Sequence, residues 1–192
     1  MWTFVASTKQ CWLKPNAAGQ KQSSGLVSGV LATPEPAESC NAKGQCVYYT
    51  DGTNETEVVE LVSKADAAIV AISTTSSEGS DRANLSFGNG QDELVTLVAA
   101  YQSNTIVAAT CPGQVLLPWK EDVEAIVMSF MGGQELGNAM ADVLFGDVNP
   151  SGRLPLTMPN VENEIGFTER QWPGLDDAAQ AYYDEKLLVG YR

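Results

Sequence analysis

Apolar runs and amphipathic stretches alternate along the chain from Val47 onward. Three runs have the length and the Ile, Val and Ala content of strands buried on both faces, at 67–72, 105–109 and 125–128. Three stretches with helical character lie near 54–64, 91–102 and 134–145. Because a strand–helix–strand unit returns the chain to the same edge of a sheet, this alternation predicts a three-layer α/β/α sandwich with a mostly parallel sheet.

Capping residues fix where the predicted helices begin and end. Asn54 is a suitable N-cap for the first helix, with Glu57 three residues later. Asp92 and Glu93 place negative charge in the first turn of the second helix, where the helix dipole favours it. Gly146 suits the C-terminal cap of the third helix.

Three loops follow the ends of predicted parallel strands and therefore share one edge of the sheet, the edge at which open α/β sheets bind ligands. These loops span 73–90, 110–118 and 130–134. The side chains expected to converge there are Glu78, Asp81, Arg82, Gln114, Gln134 and Glu135. Glu78 lies in a polar loop directly after a buried strand, which makes it a candidate general acid/base.

Several of these residues also have a purely structural interpretation. Asp81 and Arg82 are expected to form an ion pair that shapes the loop, with substrate contact as the alternative. Glu135 is explained by its favourable position in the first turn of a helix. Trp119 could stack on a sugar ring, but an aromatic residue after a proline in a loop more often packs in the core.

Composition limits the class of protein. The 192 residues, 44% of them hydrophobic, suffice for one domain of ordinary size, or one domain plus part of another. No apolar run approaches the roughly 20 residues that a spanning helix needs. The formal charge of -13 repels phosphate backbones and anionic lipid. We therefore expect neither nucleic acid nor a membrane surface as a partner.

Histidine is absent from the sequence. The chain alone therefore cannot supply a Ser-His-Asp triad, a Cys-His pair or a histidine-ligated metal site, and carboxylates must carry any proton transfer. The four cysteines show no C-x-x-C spacing, so we predict no metal site and no cofactor. Cys40 and Cys46 could close a small disulfide in an oxidising compartment, and Cys111 is expected to be a packed free thiol.

The N-terminal region differs from the rest of the chain. Residues 1–32 show no helical period and are too few to fold alone. Residues 33–46 are interpreted as a linker, because Pro34 and Pro36 restrict their own backbone and that of the preceding residue.

Two segments carry a resemblance to a known family. Residues 77–85, S-E-G-S-D-R-A-N-L, resemble the E-G-x-D-R-x-x-L segment of glycoside hydrolase family 3. Residues 133–155, from G-Q-E to S-G-R-L-P, resemble the long and specific G-Q-E-x-G-N-A…N-P-S-G-R-L-P block of the same family. The resemblance assigns 47–175 to its C-terminal α/β domain and 176–192 to a linker toward a fibronectin type III-like domain.

Family resemblance implies a reaction. It implies β-glucosidases, β-xylosidases and related exo-acting enzymes, which cleave β-glycosides with retention, and it matches Glu78 to the acid/base carboxylate. The implied substrates are β-linked gluco- or xylo-oligosaccharides or aryl glycosides, and the sequence does not choose between glucose and xylose.

The chain also departs from the family pattern. It has no (β/α)8 barrel and no nucleophile motif, so we expect the nucleophile and the barrel to lie outside this chain. The first strand–helix unit of the domain is missing too, which leaves the sheet incomplete at its N-terminal side.

Residues 1–32 instead resemble the tail of a PAN/apple domain, through the segment 7–14, S-T-K-Q-C-W-L-K. We therefore expect Met1 to be an internal start or a gene-model boundary. The two resemblances imply a secreted parent protein, whereas the segment after Met1 lacks the basic start and apolar block of a secretory signal, so the compartment of this chain stays open.

Two other functions remain as alternatives. The chain could be a non-catalytic carbohydrate-binding α/β module. It could also be an unrelated nucleotide-binding domain, although its only glycine cue, Gly88-Asn89-Gly90, lacks the G-x-G-x-x-G spacing after a strand.

Overall fold

Six strands of the described residues form one sheet. The computed structural model describes residues 2–6, 37–40, 42, 46–175 and 180–188. The strands are β1 (Trp2–Ala6), β2 (Ala37–Cys40), β3 (Cys46–Thr50), β4 (Ala67–Ser73), β5 (Thr105–Thr110) and β6 (Ala125–Ser129). Their spatial order is β2-β3-β1-β4-β5-β6.

The sheet has a parallel half and an antiparallel half. β4, β5 and β6 are parallel neighbours, with Val70 opposite Val107 and Val107 opposite Ile126. β1 pairs antiparallel with both β3 and β4, and β2 pairs antiparallel with β3. The α/β sandwich is therefore confirmed, and its parallel strands are the three that the apolar runs predict. The antiparallel pairings all involve strands that end before residue 51.

The described residues form three α-helices beside the sheet: α1 (Glu55–Lys64), α2 (Gln91–Tyr101) and α3 (Leu136–Phe145). Asn54 is the N-cap of α1, and its side chain accepts hydrogen bonds from the backbone N–H groups of Thr56 and Glu57. α3 follows a 3₁₀ turn at Gly133–Glu135. It ends at Gly146, whose φ of 80° is the left-handed conformation that glycine adopts without a Cβ clash. The predicted caps at Asn54 and Gly146 are thus confirmed.

The core lies where α1 and α2 pack on each other and on the sheet, α1 against β3 and α2 against β4 and β5. Val58 and Val62 of α1, Val98 of α2, Val70 of β4 and Val107 of β5 are all fully buried. Burial of each such side chain contributes roughly 1.5–3 kcal/mol of transfer free energy. The packing of α1 and α2 on the sheet therefore holds the strands, and with them the strand ends, in place. α3 contains no fully buried residue. Within the described part of the chain, no helix has the length and apolar character required to cross a membrane.

The N-terminal strands lie in regions that the sequence assigns to other units. β1 falls within residues 1–32 and β2 within the predicted linker 33–46, yet both pair with strands of the same sheet. Residues 37–40 are therefore not a linker in this structure, because their backbone groups form a ladder with β3. The domain boundaries stay a prediction, and the PAN-like segment 7–14 lies outside the described residues.

The structure describes part of what the sequence predicts for the cysteines. Cys46 is disulfide-bonded, and the strand register places Cys40 directly opposite it. The pairing of Cys40 with Cys46 stays a prediction. Cys111 is a buried free thiol, as predicted.

Candidate active site

The loop between β4 and α2 is held at both of its ends by Gln91. The Gln91 side chain is buried and accepts a hydrogen bond from Ser73 N at 2.8 Å. Its amide nitrogen lies 3.0 Å from Ser73 O, 3.0 Å from Phe87 O and 3.2 Å from Gly88 O. One side chain thus joins the last residue of β4 to the first turn of α2, and residues 74–90 project from this closed base.

Glu78 lies at the tip of a tight turn within this loop. Ser77 and Ser80 face each other in an isolated antiparallel bridge, and Ser80 N donates to Ser77 O at 3.3 Å. Gly79, at the third position of this turn, has a φ of 76°, a left-handed conformation that glycine adopts without a Cβ clash. The Glu78 carboxylate is exposed and makes no hydrogen bond or ion pair with any residue that the structure describes. The fold therefore presents this carboxylate to whatever lies beyond the edge of the sheet.

Arg82 ties this loop to the next one. Its Nη2 donates to the carbonyl oxygen of Gln114 at 2.8 Å, and its Nη1 is buried without a partner among the described residues. The predicted ion pair between Asp81 and Arg82 is wrong: Asp81 is exposed, and neither residue takes part in a described salt bridge. The guanidinium turns toward a backbone carbonyl 32 residues away, which anchors it to a fixed element.

The loops after β4 and β5 lie side by side. Leu116 N donates to Leu85 O at 2.9 Å. Trp119 is 1% exposed, lies 6.4 Å from Phe87 between ring centroids, and donates its indole N–H to Asp92 Oδ1 at 2.8 Å. Trp119 therefore belongs to the core, and the alternative of stacking on a sugar ring is wrong for this conformation.

Within the described part of the chain, the third loop makes no side-chain hydrogen bond to the other two loops. Gln134 and Glu135 are exposed, and Glu135 Oε2 accepts a hydrogen bond from Asn138 Nδ2 at 2.7 Å. Among the described residues, no hydrogen bond or ion pair connects either side chain to the Glu78 loop. Glu135 ends the 3₁₀ turn and precedes α3 as its N-cap residue, so its interpretation through the helix dipole stays a prediction. Of the six residues expected to converge, Arg82 and Gln114 are joined by a described hydrogen bond, through the Gln114 carbonyl.

Cys111 lies beneath these loops at the end of β5. Its thiol donates to Met128 Sδ at 3.3 Å. Burial raises the pKa of this thiol, and a hydrogen bond from the Gly113 backbone and the positive charge of Arg82 oppose that rise only in part. The thiol is therefore neutral near pH 7 and acts as a packed apolar group.

The described residues contain no group of three or more His, Cys, Asp and Glu side chains placed to hold a metal ion.

Two residues that hold the site together were not predicted: Gln91, and Glu162, whose carboxylate accepts a hydrogen bond from Leu85 N. The sequence around Gln91 does not show whether a glutamine at the start of a helix is buried and bonded or exposed. Glu162 lies 77 residues from Leu85, so no local pattern indicates their hydrogen bond.

Comparison with known proteins gives a consistent result. The chain matches the Glycosyl hydrolase family 3 C-terminal domain over residues 7–191. It is 39% identical over 148 residues to thermostable beta-glucosidase B of Acetivibrio thermocellus. This alignment covers 74% of the present chain and 19% of that protein. It is 37% identical over 142 residues to a beta-glucosidase of Rhizobium radiobacter, covering 71% of this chain and 17% of that protein.

A solved structure shows the same fold. DesR, a beta-glucosidase from Streptomyces venezuelae in complex with D-glucose, aligns with a TM-score of 0.65 at 34% identity. The alignment covers 77% of this chain and 20% of DesR. The chain thus spans about a fifth or less of the length of the relatives that it matches.

Proposed function

Because this chain belongs to the glycosyl hydrolase family 3 C-terminal domain family, we propose that it supplies the general acid/base carboxylate, Glu78, of a retaining exo-β-glycosidase. The nucleophile is proposed to come from a (β/α)8 barrel that lies outside these 192 residues. The proposed substrates are β-glucosides, since the relatives named above are β-glucosidases.

One observation carries this proposal: Glu78 occupies the tip of a turn at the carboxyl edge of the parallel strands, exposed and without a partner among the described residues. A carboxylate that only stabilised the loop would accept hydrogen bonds from it, as Glu162 does from Leu85. A carboxylate that transfers protons to a substrate must instead keep its oxygens available.

The proposed reaction is a double displacement. In the first step a barrel carboxylate attacks the anomeric carbon while Glu78 gives its proton to the departing glycosidic oxygen. In the second step the Glu78 carboxylate takes a proton from water, whose oxygen attacks the same carbon and releases the barrel carboxylate. Both steps need the two carboxyl groups about 5–5.5 Å apart, so the turn at 77–80 must reach across to the barrel.

The test uses a chimera of thermostable beta-glucosidase B in which the matching 148 residues are replaced by those of this chain. On a β-glucoside with a poor leaving group, Glu78→Gln should lower kcat by about 10²–10⁴-fold, because departure of the sugar oxygen loses its proton donor. On a dinitrophenyl glucoside the first step should be nearly unchanged. Added azide should restore turnover, because it attacks the anomeric carbon without a general base.

Glu121→Gln is the matched control, since Glu121 is an exposed carboxylate without described contacts. It should leave kcat unchanged. Equal rates for the parent chimera and its Glu78→Gln variant on the poor substrate would remove Glu78 from the proposed role. The 192-residue chain without a barrel should show no measurable hydrolysis, because an acid without a nucleophile assists only half of the reaction.

A further inference from the structure

Residues 157–164, which we call the strap, contact the candidate active site through three hydrogen bonds. Gln114 Nε2 donates to Thr157 O at 2.9 Å, Lys120 Nζ donates to Asn160 Oδ1 at 2.6 Å, and Leu85 N donates to Glu162 Oε1 at 2.5 Å. The donors come from the loop after β4 and from the segment after β5. The strap therefore supplies acceptors to both sides of the same edge.

The strap is itself closed by a local clasp. Glu164 accepts hydrogen bonds from Asn160 N through Oε2 and from Asn160 Nδ2 through Oε1, both at 2.7 Å. These bonds lower the pKa of Glu164, with a further contribution from the charge of Lys120. The carboxylate is therefore ionised at neutral pH, and Asn160 is held in place to accept from Lys120.

The bond between Glu162 and Leu85 bears most directly on Glu78. Leu85 is held on both sides of its backbone, since its N–H donates to Glu162 and its carbonyl accepts from Leu116 N. Between Leu85 and the turn at 77–80, Arg82 supplies a further anchor by donating to Gln114 O. A hydrogen bond from a backbone N–H to a carboxylate is about twice as strong as a neutral one, so the strap fixes the C-terminal side of the loop.

We propose that Glu162 is a positioning residue for the loop that carries Glu78. The effect of Glu162 on catalysis rests on the proposed acid/base function of Glu78. The hydrogen bond that links the strap to the loop does not depend on that function. A general acid must lie within about 0.5 Å of its productive position, so an anchor seven residues along the loop affects proton transfer without contacting the substrate.

Hydrogen–deuterium exchange on the 192-residue chain tests the mechanical link. Glu162→Ala should speed exchange of the Leu85 amide by about tenfold, because the amide loses a charged acceptor. Glu162→Gln retains a side-chain oxygen and should restore most of the protection. Glu169→Ala is the matched control, an exposed carboxylate in the same region without described side-chain contacts, and should change nothing.

Amides of β4 and β5 report global stability in the same experiment. The link is supported if Glu162→Ala speeds exchange of the Leu85 amide and leaves exchange of the β4 and β5 amides unchanged. Unchanged exchange at Leu85, or an equal acceleration in every strand, overturns it.

Kinetics of the chimera test the catalytic meaning. Glu162→Ala should lower kcat severalfold on the glucoside with the poor leaving group and leave KM unchanged. The rate of the first step on the dinitrophenyl glucoside should also be unchanged. Glu162→Gln should recover most of the lost kcat. A general loss of stability would lower both rates together, and that outcome overturns the positioning role. If Glu78→Gln is fully active, the proposed function fails, whereas the exchange result still decides whether the strap holds the loop.

Discussion

At the scale of single residues, Cys111 shows how burial controls chemistry near the candidate site. The thiol has no exposed surface, and its sulfur contacts Met128 at 3.3 Å. Its ionised form would be a charge within the core. The folded protein therefore retains this proton at a pH at which the unfolded chain has released it.

This difference predicts an alkaline loss of stability. Because the pKa of Cys111 is raised by folding, its contribution is fully present below the pKa of about 8.5 in the unfolded chain and decreases as pH rises toward the folded value. The free energy of unfolding should fall above pH 8.5 by at most about 1.4 kcal/mol per pH unit more in the native chain than in Cys111→Ala. Urea unfolding at several pH values measures the two slopes.

Met128→Leu provides the control for this prediction. It removes the sulfur partner but keeps the titrating thiol, so it should retain the native slope. Identical slopes for the native chain and Cys111→Ala would show that the thiol does not resist ionisation in the folded state.

The residues of the site differ in how far the sequence predicts them. Glu78 follows from a polar loop after a buried strand, because that pattern is local. The partner of Arg82 does not, since adjacency favours Asp81 while the fold places Gln114 O within 2.8 Å. Gln91 and Glu162 are identified only by contacts across 18 and 77 residues. The place of Glu78 in a loop after β4 is thus predictable from local sequence, whereas the hydrogen bonds that hold this loop are not.

At the scale of elements, local chemistry decides the helix ends. α1 begins after Asn54, whose side-chain oxygen accepts from two backbone N–H groups that have no partner within the helix. α2 has no side-chain cap and follows Gly90 in a left-handed conformation. The stability of α1 therefore depends on a single polar side chain in a way that the stability of α2 does not.

Asn54→Ala should lower the free energy of unfolding by about 1 kcal/mol, because two N–H groups lose their acceptor. Asn54→Ser keeps a capping oxygen and should stay within a few tenths of a kcal/mol of the native chain. Urea denaturation followed by far-UV circular dichroism measures both. Equal stability of the alanine and serine variants would mean that the cap contributes nothing to the native state.

The sheet shows the limit of prediction from local patterns. The bounds of β4, β5 and β6 agree with the apolar runs to within one residue. Burial leaves a continuous hydrophobic signature in β4 and β5. The expected burial of 125–128 on both faces is wrong, because β6 is the edge strand and none of its residues is buried. The antiparallel neighbours do not follow from such a signature. Pairing of β1 with β4 joins Thr3 to Val70, and a contact between residues so far apart in sequence is not encoded by either segment alone.

At the scale of the whole molecule, exposed apolar side chains are concentrated toward the C-terminal part of the described residues. Tyr101 is the one exposed large hydrophobic side chain described before residue 131. Twelve others lie between Met131 and Leu188, including Trp172 at 63% and Tyr183 at 79% exposure. The core around α1 and α2 is thus well packed, while the segment from 161 onward is held mainly by local turns.

Limited proteolysis should detect this contrast. Chymotrypsin should cut first between 165 and 188, where aromatic and leucine side chains are exposed, and leave a fragment that retains residues 46–160. Mass spectrometry of the first products identifies the sites. Phe87 and Trp119 serve as internal controls, since both are buried and should resist cleavage. A first cut between 91 and 130 would contradict this distribution of packing.

The burial of Trp119 has an optical consequence. Its indole is shielded from water, hydrogen-bonded to Asp92 and adjacent to Phe87, so its emission should be blue-shifted and hard to quench. Replacing Trp2, Trp12 and Trp172 by phenylalanine would leave this indole as the sole fluorophore of its kind. Such a variant carries an intrinsic reporter of how the two loops beside Glu78 pack, readable in real time without a dye.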